Sequence, residues 1–203
     1  MTKPTRLAGR RAVVTGAGGP MGYAIAERLL AEGLEGLALT DISGTRLTST
    51  AEALSAAHPE VRIVALRGDV TVAAEAKAFA GTVLDTLGGA DILVNVVGGI
   101  RSRQLYTPFL EMSEAQWKAT FDINLLGNFH LVQAFAPGML ERGEGRIINL
   151  SSIVFGSGRV PPHSPSPPGR IPQQGCGSSR RRQPWRRHSL LAPAPPRKRW
   201  RRG

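Results

Sequence analysis

The sequence contains a single cysteine, Cys176, among its 203 residues. An intrachain disulfide is therefore excluded, and this composition fits a reducing compartment. The sequence also lacks any apolar run close to the roughly 20 residues that a membrane-spanning helix needs. No group of histidine, cysteine and aspartate residues has the spacing of metal ligands. We therefore expect a cytoplasmic protein with no membrane partner and no bound metal.

Acidic residues are absent from the last 45 residues of the chain. All 15 Asp and Glu residues lie within 1–158 with 14 of the 26 Lys and Arg residues, so this part has a net charge near −1. Residues 159–203 contain the other 12 basic residues and 10 of the 15 prolines. Such a composition is typical of a disordered segment that cannot bury a core. We therefore predict a domain at 1–158 and a disordered basic tail at 159–203.

Short apolar runs alternate with longer segments of helical periodicity within residues 1–158. Strands alternating with helices indicate βαβ units and a parallel sheet that is covered on both faces. After Ser152 no further periodic segment follows. The sequence therefore predicts an α/β fold with a Rossmann-type, doubly wound parallel sheet, truncated after the fifth strand. The five strands are predicted at 11–16, 36–41, 61–70, 91–96 and 145–152.

The helices are predicted from apolar spacing and from capping residues. Met21, Ile25 and Leu29 recur at i, i+4 and i+8 and indicate one face of a helix that ends near Gly33. The next three helices are predicted to begin at hydroxyl residues, whose oxygens can accept hydrogen bonds from free backbone N–H groups. These residues are Ser43, Thr71 and Ser113. The last helix is predicted to run to about Leu140 with an apolar stripe formed by Trp117, Phe121, Leu125 and Phe129.

The segment TGAGGPMG, residues 15–22, follows the first predicted strand and opens the first predicted helix. The N–H groups and the dipole of a helix N-terminus bind anions, and glycine lets a phosphate approach the backbone. Asp41 ends the second strand, 19 residues after Gly22. A carboxylate at this place accepts hydrogen bonds from an adenosine ribose and repels a 2′-phosphate. The pattern favours a pyrophosphate cradle for NAD over an ordinary strand-to-helix turn.

The same segment resembles the Thr-Gly-x-x-x-Gly-x-Gly turn of the short-chain dehydrogenase/reductase family. Thr15, Gly16 and Gly22 match that turn, while Pro20 stands where the family usually has its middle glycine and offers no N–H. The resemblance covers about residues 8–158. Four more segments resemble family motifs in the same order, namely GDV at 68–70, NVVGG at 95–99, DINLLG at 122–127 and GRIINLSS at 145–152.

This resemblance implies an NAD-dependent oxidoreductase that acts on a small-molecule alcohol or carbonyl compound. Homo-oligomers are usual in the family, but the helices that form them include one that this sequence lacks. The implied catalytic residues are Asn124, which would hold a water of the proton relay, and Ser152, which would orient the substrate oxygen. The implied cofactor-binding residues are Thr15, Gly16, Gly19, Met21, Gly22, Asp41, Asp69, Val70, Asn95 and Gly98.

The tyrosine and lysine on which the family's chemistry depends have no counterpart in the sequence. The family uses a tyrosine as acid or base, and a lysine four residues later lowers the pKa of that phenol from about 10. Tyr23 and Tyr106 both precede Ser152, and the residues four positions after them are Glu27 and Leu110. We therefore expect little or no dehydrogenase activity from the chain as printed.

Three other interpretations stay open. The tail could arise from a reading-frame shift just after SSIVFGSG, because a GC-rich coding sequence read out of frame yields Pro, Arg, Ser, Gly and Trp. The domain could be a catalytically silent NAD-binding protein, which would share every N-terminal motif with an enzyme. The tail could bind nucleic acid through its cations, Trp185 and Trp200. Its arginines show no helical spacing and no known module, so we expect only nonspecific binding to polyanions.

Overall fold

A computed structural model describes residues 6–99, 107 and 109–151 of the chain. Its strands are β1 (Arg11–Thr15), β2 (Gly36–Asp41), β3 (Arg62–Arg67), β4 (Ile92–Asn95) and β5 (Arg146–Asn149). They form one sheet in the order β3-β2-β1-β4-β5, and all four pairings are parallel. This sheet confirms the predicted Rossmann-type α/β fold. Ser152 and the predicted tail at 159–203 lie outside the described residues.

Helices connect the strands and cover the sheet. None of the helices within the described residues is long and apolar enough to cross a membrane. The helices are α1 (Pro20–Ala31), α2 (Gly44–Ala57), α3 (Ala73–Leu87), α4 (Glu114–Phe121) and α5 (Gly127–Glu141), with a short 3-10 turn at Phe109–Glu111 and a π-helical turn at Asp122–Leu126.

The strand order reverses at the centre of the sheet. The chain runs outward from β1 through β2 to β3 on one side, and from β4 to β5 on the other. β1 ends at Thr15 and β4 ends at Asn95, so their carboxyl ends lie side by side. Such a reversal leaves a crevice at the carboxyl ends of the strands, where ligands of open α/β sheets bind.

The core lies in two layers, one on each face of the sheet, because alternate residues of a strand point to opposite faces. Val14 packs in one buried cluster with Leu30 of α1. Val13 packs in the other with Phe79 of α3 and Leu131 of α5. Both faces of β1 are therefore buried, which explains why its sequence is a continuous apolar run rather than an alternating one.

The strand β5 is the edge of the described sheet. It pairs with β4, and within the described residues no other strand lies beside it. Ile147 and Ile148 are 39% and 47% exposed. An edge strand keeps unpaired backbone groups on its outer side. In the part of the chain that the structure describes, the ladder to β4 is the only one that β5 forms.

The buried face of α1 coincides only in part with the predicted apolar face. Gly22, Ala26 and Leu30 form that face, whereas Met21 is 57% exposed. The helix begins at Pro20, and its first turn lies beside the crevice rather than over the core. Ile25 and Leu29 are partly buried and pack against the core beside this face. Apolar spacing thus predicted the helix and two of the three members of its packing face, and only Met21 lies elsewhere.

The three predicted N-cap residues agree with the structure to different extents. Ser113 caps α4 through a capping box, in which its side chain accepts from the backbone N–H of Gln116. Ser43 precedes α2, but its side chain makes no capping bond. The prediction for Thr71 is wrong, because Val72 precedes α3 and the Thr71 hydroxyl donates to the Asp69 carboxylate at 2.7 Å.

The long helix predicted from Ser113 to Leu140 is interrupted. A π-helical turn at Asp122–Leu126 separates α4 from α5. A π turn inserts one residue into a helix and rotates the two halves relative to each other. The predicted apolar stripe faces outward, since its members are between 50% and 54% exposed, namely Trp117, Phe121, Leu125 and Phe129. The buried face of α5 consists of Gly127, Leu131, Phe135 and Met139.

Candidate cofactor site

A cleft of about 470 Å³ occupies the crevice at the carboxyl ends of the strands. The turn after β1, the first turns of α1 and α2, and the segments after β3 and β4 form its walls. Ile123 of the π-helical turn completes the lining. Eight of the ten predicted cofactor residues line this cleft, namely Gly16, Gly19, Met21, Gly22, Asp41, Asp69, Val70 and Gly98.

The glycine-rich turn is compact at two positions. Gly16 has a φ of +62°, a left-handed conformation that side chains rarely adopt. A Cβ on Gly22 would lie 2.3 Å from the backbone oxygen of Gly16, so the helix can only approach the turn here without a side chain. These two glycines hold the start of α1 against the end of β1.

The N-terminus of α1 faces the cleft without any acidic residue in its first turn. Gly19 is its N-cap residue, and no side chain caps the helix. Pro20 has no N–H, so the groups that this turn can present to an anion are the N–H groups of Met21 and Gly22. The helix dipole adds a partial positive charge at the same place. This end of the cleft is therefore suited to a phosphate.

Asp41 lies at the other side of the turn, at the end of β2, and is 6% exposed. Its Oδ2 accepts from the backbone N–H of Gly18 at 3.0 Å, and its Oδ1 accepts from the backbone N–H of Ser43 at 2.8 Å. The guanidinium of Arg46 lies 3.4 Å from the same Oδ1. The carboxylate is thereby fixed in position at the mouth of the cleft.

Thr15 and Asn95 lie behind the wall of the cleft rather than in it. The Thr15 hydroxyl oxygen accepts from the backbone N–H groups of Val96 and Val97 at 2.9 and 3.1 Å. Asn95 donates from Nδ2 to Oδ1 of Asn149 at 2.8 Å. Thr15 thus ties the segment after β4 to the end of β1, and Asn95 ties β4 to β5. Both residues shape the site without lining it.

The segment after β3 is held by its own side chains. Oδ1 of Asp69 accepts from the N–H of Thr71 at 3.0 Å, and the Asp69 N–H donates to Glu75 at 2.8 Å. The oxygen of Val70 lies 3.0 Å from Nδ1 of His130 on α5. Through this contact α5 supports the wall that Val70 forms.

Asn124 lies in the π-helical turn and contacts the segment after β4. Its Nδ2 donates to the oxygens of Gly99 and Thr120 at 2.8 and 2.7 Å, and its Oδ1 accepts from the N–H of Gly99 at 3.0 Å. A Cβ on Gly98 would lie 2.9 Å from the same Oδ1. The Asn124 backbone oxygen accepts from Nδ2 of Asn128 at 3.1 Å. The asparagine amide therefore holds the loop that forms one wall of the cleft.

The comparisons with known proteins agree with this geometry. The family model described as short chain dehydrogenase matches residues 10–162. The chain belongs to the short-chain dehydrogenase/reductase family. A curated relative, the 2-dehydro-3-deoxy-L-rhamnonate dehydrogenase (NAD(+)) of a Sphingomonas strain, is 38% identical over 149 residues, which are 73% of this chain and 56% of the relative. The chain thus spans a little over half the length of the curated relatives it matches.

Two solved structures of the family are similar to this chain. One is an L-sorbose reductase from Gluconobacter frateurii in complex with NADPH and L-sorbose, with 30% identity and a TM-score of 0.67 over 75% of this chain and 55% of that one. The other is a family member from Burkholderia phymatum in complex with NAD, with 31% identity and a TM-score of 0.65 over 76% of this chain and 52% of that one. A nicotinamide cofactor is bound in both of these relatives.

Part of the cleft was not predicted from the sequence. Ile42 and Arg46 line it beside Asp41, and Ile123 lines it from the π-helical turn. Arg46 could have been found from its place in the first turn of α2, five residues after Asp41. Ile123 has no comparable signal, because its position depends on the π turn. The predicted catalytic residue Ser152 lies outside the described residues.

Proposed function

We propose that this member of the short-chain dehydrogenase/reductase family binds NAD(H) in the cleft and descends from an enzyme that interconverts alcohols and carbonyl compounds. The observation that carries the proposal is the position of Asp41 across the glycine-rich turn from the N-terminus of α1. An anion-binding helix end and a ribose-binding carboxylate then flank one cleft of about 470 Å³.

The residues of the cleft fit a dinucleotide. The compact Gly16–Gly22 turn leaves the first turn of α1 open to a pyrophosphate, and a Cβ on Gly18 would lie 3.1 Å from the Asp41 carboxylate. In this proposal Met21 and Gly22 donate N–H groups to the pyrophosphate. Asp41 accepts from the adenosine ribose, and Asp69 and Val70 border the adenine. When bound, the nicotinamide would supply the hydride acceptor or donor.

In this proposal the chain prefers NAD over NADP because of the negative charge of Asp41. Asp41 is a buried carboxylate at the mouth of the cleft, and it would repel the 2′-phosphate of NADP. The Sphingomonas relative is named as NAD(+)-dependent, and the Gluconobacter relative was solved with NADPH, so both cofactors occur among similar proteins.

We further propose that the printed chain turns over substrate weakly or not at all. Ser152 can orient a substrate oxygen, but the family's reaction also needs a proton donor and acceptor there. The sequence offers only Tyr23 and Tyr106, neither with a lysine four residues later. This feature favours one alternative, a catalytically silent NAD-binding protein. If another frame of the coding sequence after codon 158 encodes Tyr-x-x-x-Lys, the function is that of the repaired enzyme.

Titration calorimetry of the full chain with NAD, followed by turnover assays on generic alcohols and ketones, tests the proposal. We expect saturable binding of NAD, tighter than that of NADP, and no measurable turnover. Failure to bind NAD would contradict the proposed cofactor. A robust rate would show that another acid replaces the tyrosine, and the proposed impairment would be wrong.

A further inference from the structure

Three of the four methionines of the chain lie within the described residues, and they differ in exposure. Met21 is 57% exposed, whereas Met139 is 5% exposed within a core cluster. Met112 is exposed to an intermediate extent and lies in the segment before α4. Of these three side chains, that of Met21 is the most open to solvent and to small reagents.

Met21 lies at the end of the cleft that is suited to a phosphate. It is the second residue of α1, it lines the cleft, and it stands between Pro20 and Gly22. Its neighbours Gly19 and Gly22 have no side chains that cover it. No acidic residue lies in this first turn, and no side chain caps the helix. A change in the polarity of the Met21 side chain would therefore take effect at the helix end that is open to an anion.

The thioether of an exposed methionine is oxidised by peroxides. The sulfur takes one oxygen atom from hydrogen peroxide and becomes a sulfoxide, and the peroxide is reduced to water. The sulfur loses the two electrons that the peroxide gains. The side chain changes from apolar to polar, and its new oxygen carries a partial negative charge. Methionine sulfoxide reductases reverse the reaction, so the modification can be removed again.

We propose that Met21 is a peroxide-sensitive modification site whose oxidation weakens cofactor binding. The effect on binding rests on the proposed cofactor function, whereas the oxidation itself does not. The sulfoxide oxygen brings a partial negative charge to the N-terminus of α1, where the helix dipole and the N–H groups of Met21 and Gly22 would otherwise meet the pyrophosphate. It also adds one atom to a side chain in the wall of the cleft. Conversely, bound NAD covers Met21 and protects it from peroxide.

The rate of oxidation at each methionine tests the site itself. The full chain is treated with hydrogen peroxide, and the oxidised fraction of each methionine is followed by peptide mass spectrometry. Met21 should be oxidised at least about tenfold faster than Met139, because the sulfur has to meet the reagent. Saturating NAD should slow the oxidation of Met21. It should leave the oxidation of Met112 unchanged, since Met112 does not line the cleft.

Calorimetric titration with NAD before and after peroxide treatment tests the effect on binding. The dissociation constant should rise about threefold or more on oxidation, and it should return to its starting value after treatment with methionine sulfoxide reductases. Met21→Leu has no sulfur at this position and is compared only with itself, and peroxide should leave its dissociation constant unchanged. Met112→Leu is the matched control, and peroxide should weaken its NAD binding as much as that of the unchanged chain.

The outcomes separate this inference from the proposed cofactor function. Equal oxidation rates at Met21 and Met139 would overturn the modification site. An unchanged NAD affinity after full oxidation of Met21 would overturn the effect on binding and leave the proposed cofactor function intact. An equal loss of affinity in Met21→Leu would overturn it too, because the effect would then come from another residue such as Cys176. If the untreated chain does not bind NAD, the proposed cofactor function fails and the effect on binding fails with it, while the oxidation rates still decide whether Met21 is the modified residue.

Discussion

Asn124 and Gly99 pair through two hydrogen bonds, one in each direction, although 25 residues separate them in the sequence. The Gly99 N–H donates to Oδ1 of Asn124 at 3.0 Å, and Nδ2 of Asn124 donates to the Gly99 oxygen at 2.8 Å. The side-chain amide of Asn124 thus donates to and accepts from Gly99 as the backbone of a neighbouring strand would. It fixes the loop after β4, whose residues Val96, Val97 and Gly98 line the cleft.

This pairing predicts that Asn124→Ala weakens both the fold and the binding of NAD. The substitution removes three hydrogen bonds, so the free energy of unfolding should fall by about 1–3 kcal/mol. The loop wall should loosen, and the dissociation constant for NAD should rise about tenfold. Urea unfolding and calorimetry measure the two effects. Asn128→Ala, which removes one bond to the Asn124 oxygen, is the control and should leave NAD binding nearly unchanged. Unaltered NAD affinity in Asn124→Ala would contradict the role of the loop.

Gly19 allows the phosphate end of the cleft to be tested without damage to the fold. Gly19 is the N-cap residue of α1 with a φ of −90°, and a Cβ there would meet only the Gly16 oxygen at 3.4 Å. Aspartate is a favourable N-cap residue, so Gly19→Asp should maintain or slightly raise stability. Its carboxylate should repel the pyrophosphate and weaken NAD binding by more than about tenfold.

Gly19→Asn is the matched control for this change. Asparagine caps a helix about as well as aspartate but carries no charge, so it should weaken NAD binding much less. Thermal unfolding and NAD titration are measured on both variants. Equal NAD affinities of the Asp and Asn variants would show that no anion binds at the N-terminus of α1.

The fold was largely predictable from the sequence because its strands are local apolar runs. The bounds of β2 agree with the prediction of 36–41, and β1 differs by one residue at its end. The prediction of 61–70 for β3 was too long. The strand ends at Arg67 because its partner β2 ends at Asp41. The Gly68 N–H, which donates to the oxygen of Asp41 at 3.1 Å, makes the last bond of this ladder, and periodicity cannot reveal where a partner strand ends.

The lining residues were predictable where a short segment carries a recognisable motif or spacing, which also brought Asp41, Asp69, Val70 and Gly98 into the prediction. The Gly16–Gly22 turn is such a segment. The contacts of Arg46 with Asp41 and of Asn124 with Gly99 depend on how separate segments meet, and the π-helical turn that positions Asn124 leaves no sign in the apolar spacing. Met21, which was predicted both as a member of a helical apolar face and as a cofactor-binding residue, is 57% exposed and lines the cleft.

Two phenylalanines should respond very differently to truncation. Phe79 of α3 is 1% exposed within the core, whereas Phe121 at the end of α4 is 52% exposed. Phe79→Ala should lower the free energy of unfolding by about 3–5 kcal/mol, because it removes a buried ring and leaves a cavity. Phe121→Ala should lower it by less than about 1 kcal/mol, since it loses mainly a contact with Trp117. Comparable losses in urea unfolding would contradict the placement of the core.

The ion pairs at the end of α1 predict an acid-dependent loss of stability. Glu32 is 5% exposed and lies between Arg6 and Arg28. Hydrogen bonds from Arg6, aided by one from Arg28 and by both positive charges, outweigh the effect of burial and lower the pKa of Glu32 from 4.5 to about 2. A carboxyl whose pKa is lower in the folded than in the unfolded chain stabilises the fold while it is ionised in both states. This contribution is therefore complete above about pH 5 and is lost as the pH falls from about 4.5 toward 2.

Glu32→Gln tests this linkage, because it removes the titrating group and keeps the shape of the side chain. The stability difference between the unchanged chain and this variant should be largest near pH 6 and should shrink steadily in urea unfolding down to pH 3. Glu27→Gln, at an exposed position of the same helix, controls for the loss of one negative charge and should change stability by less than about 0.5 kcal/mol. A stability difference between the unchanged chain and Glu32→Gln that stays constant between pH 6 and pH 3 would mean that the two arginines do not hold Glu32 ionised. Of the described contacts between residues 6–7 and Glu32, the backbone hydrogen bond from Leu7 to Glu32 would then be the one that holds this segment at the end of α1.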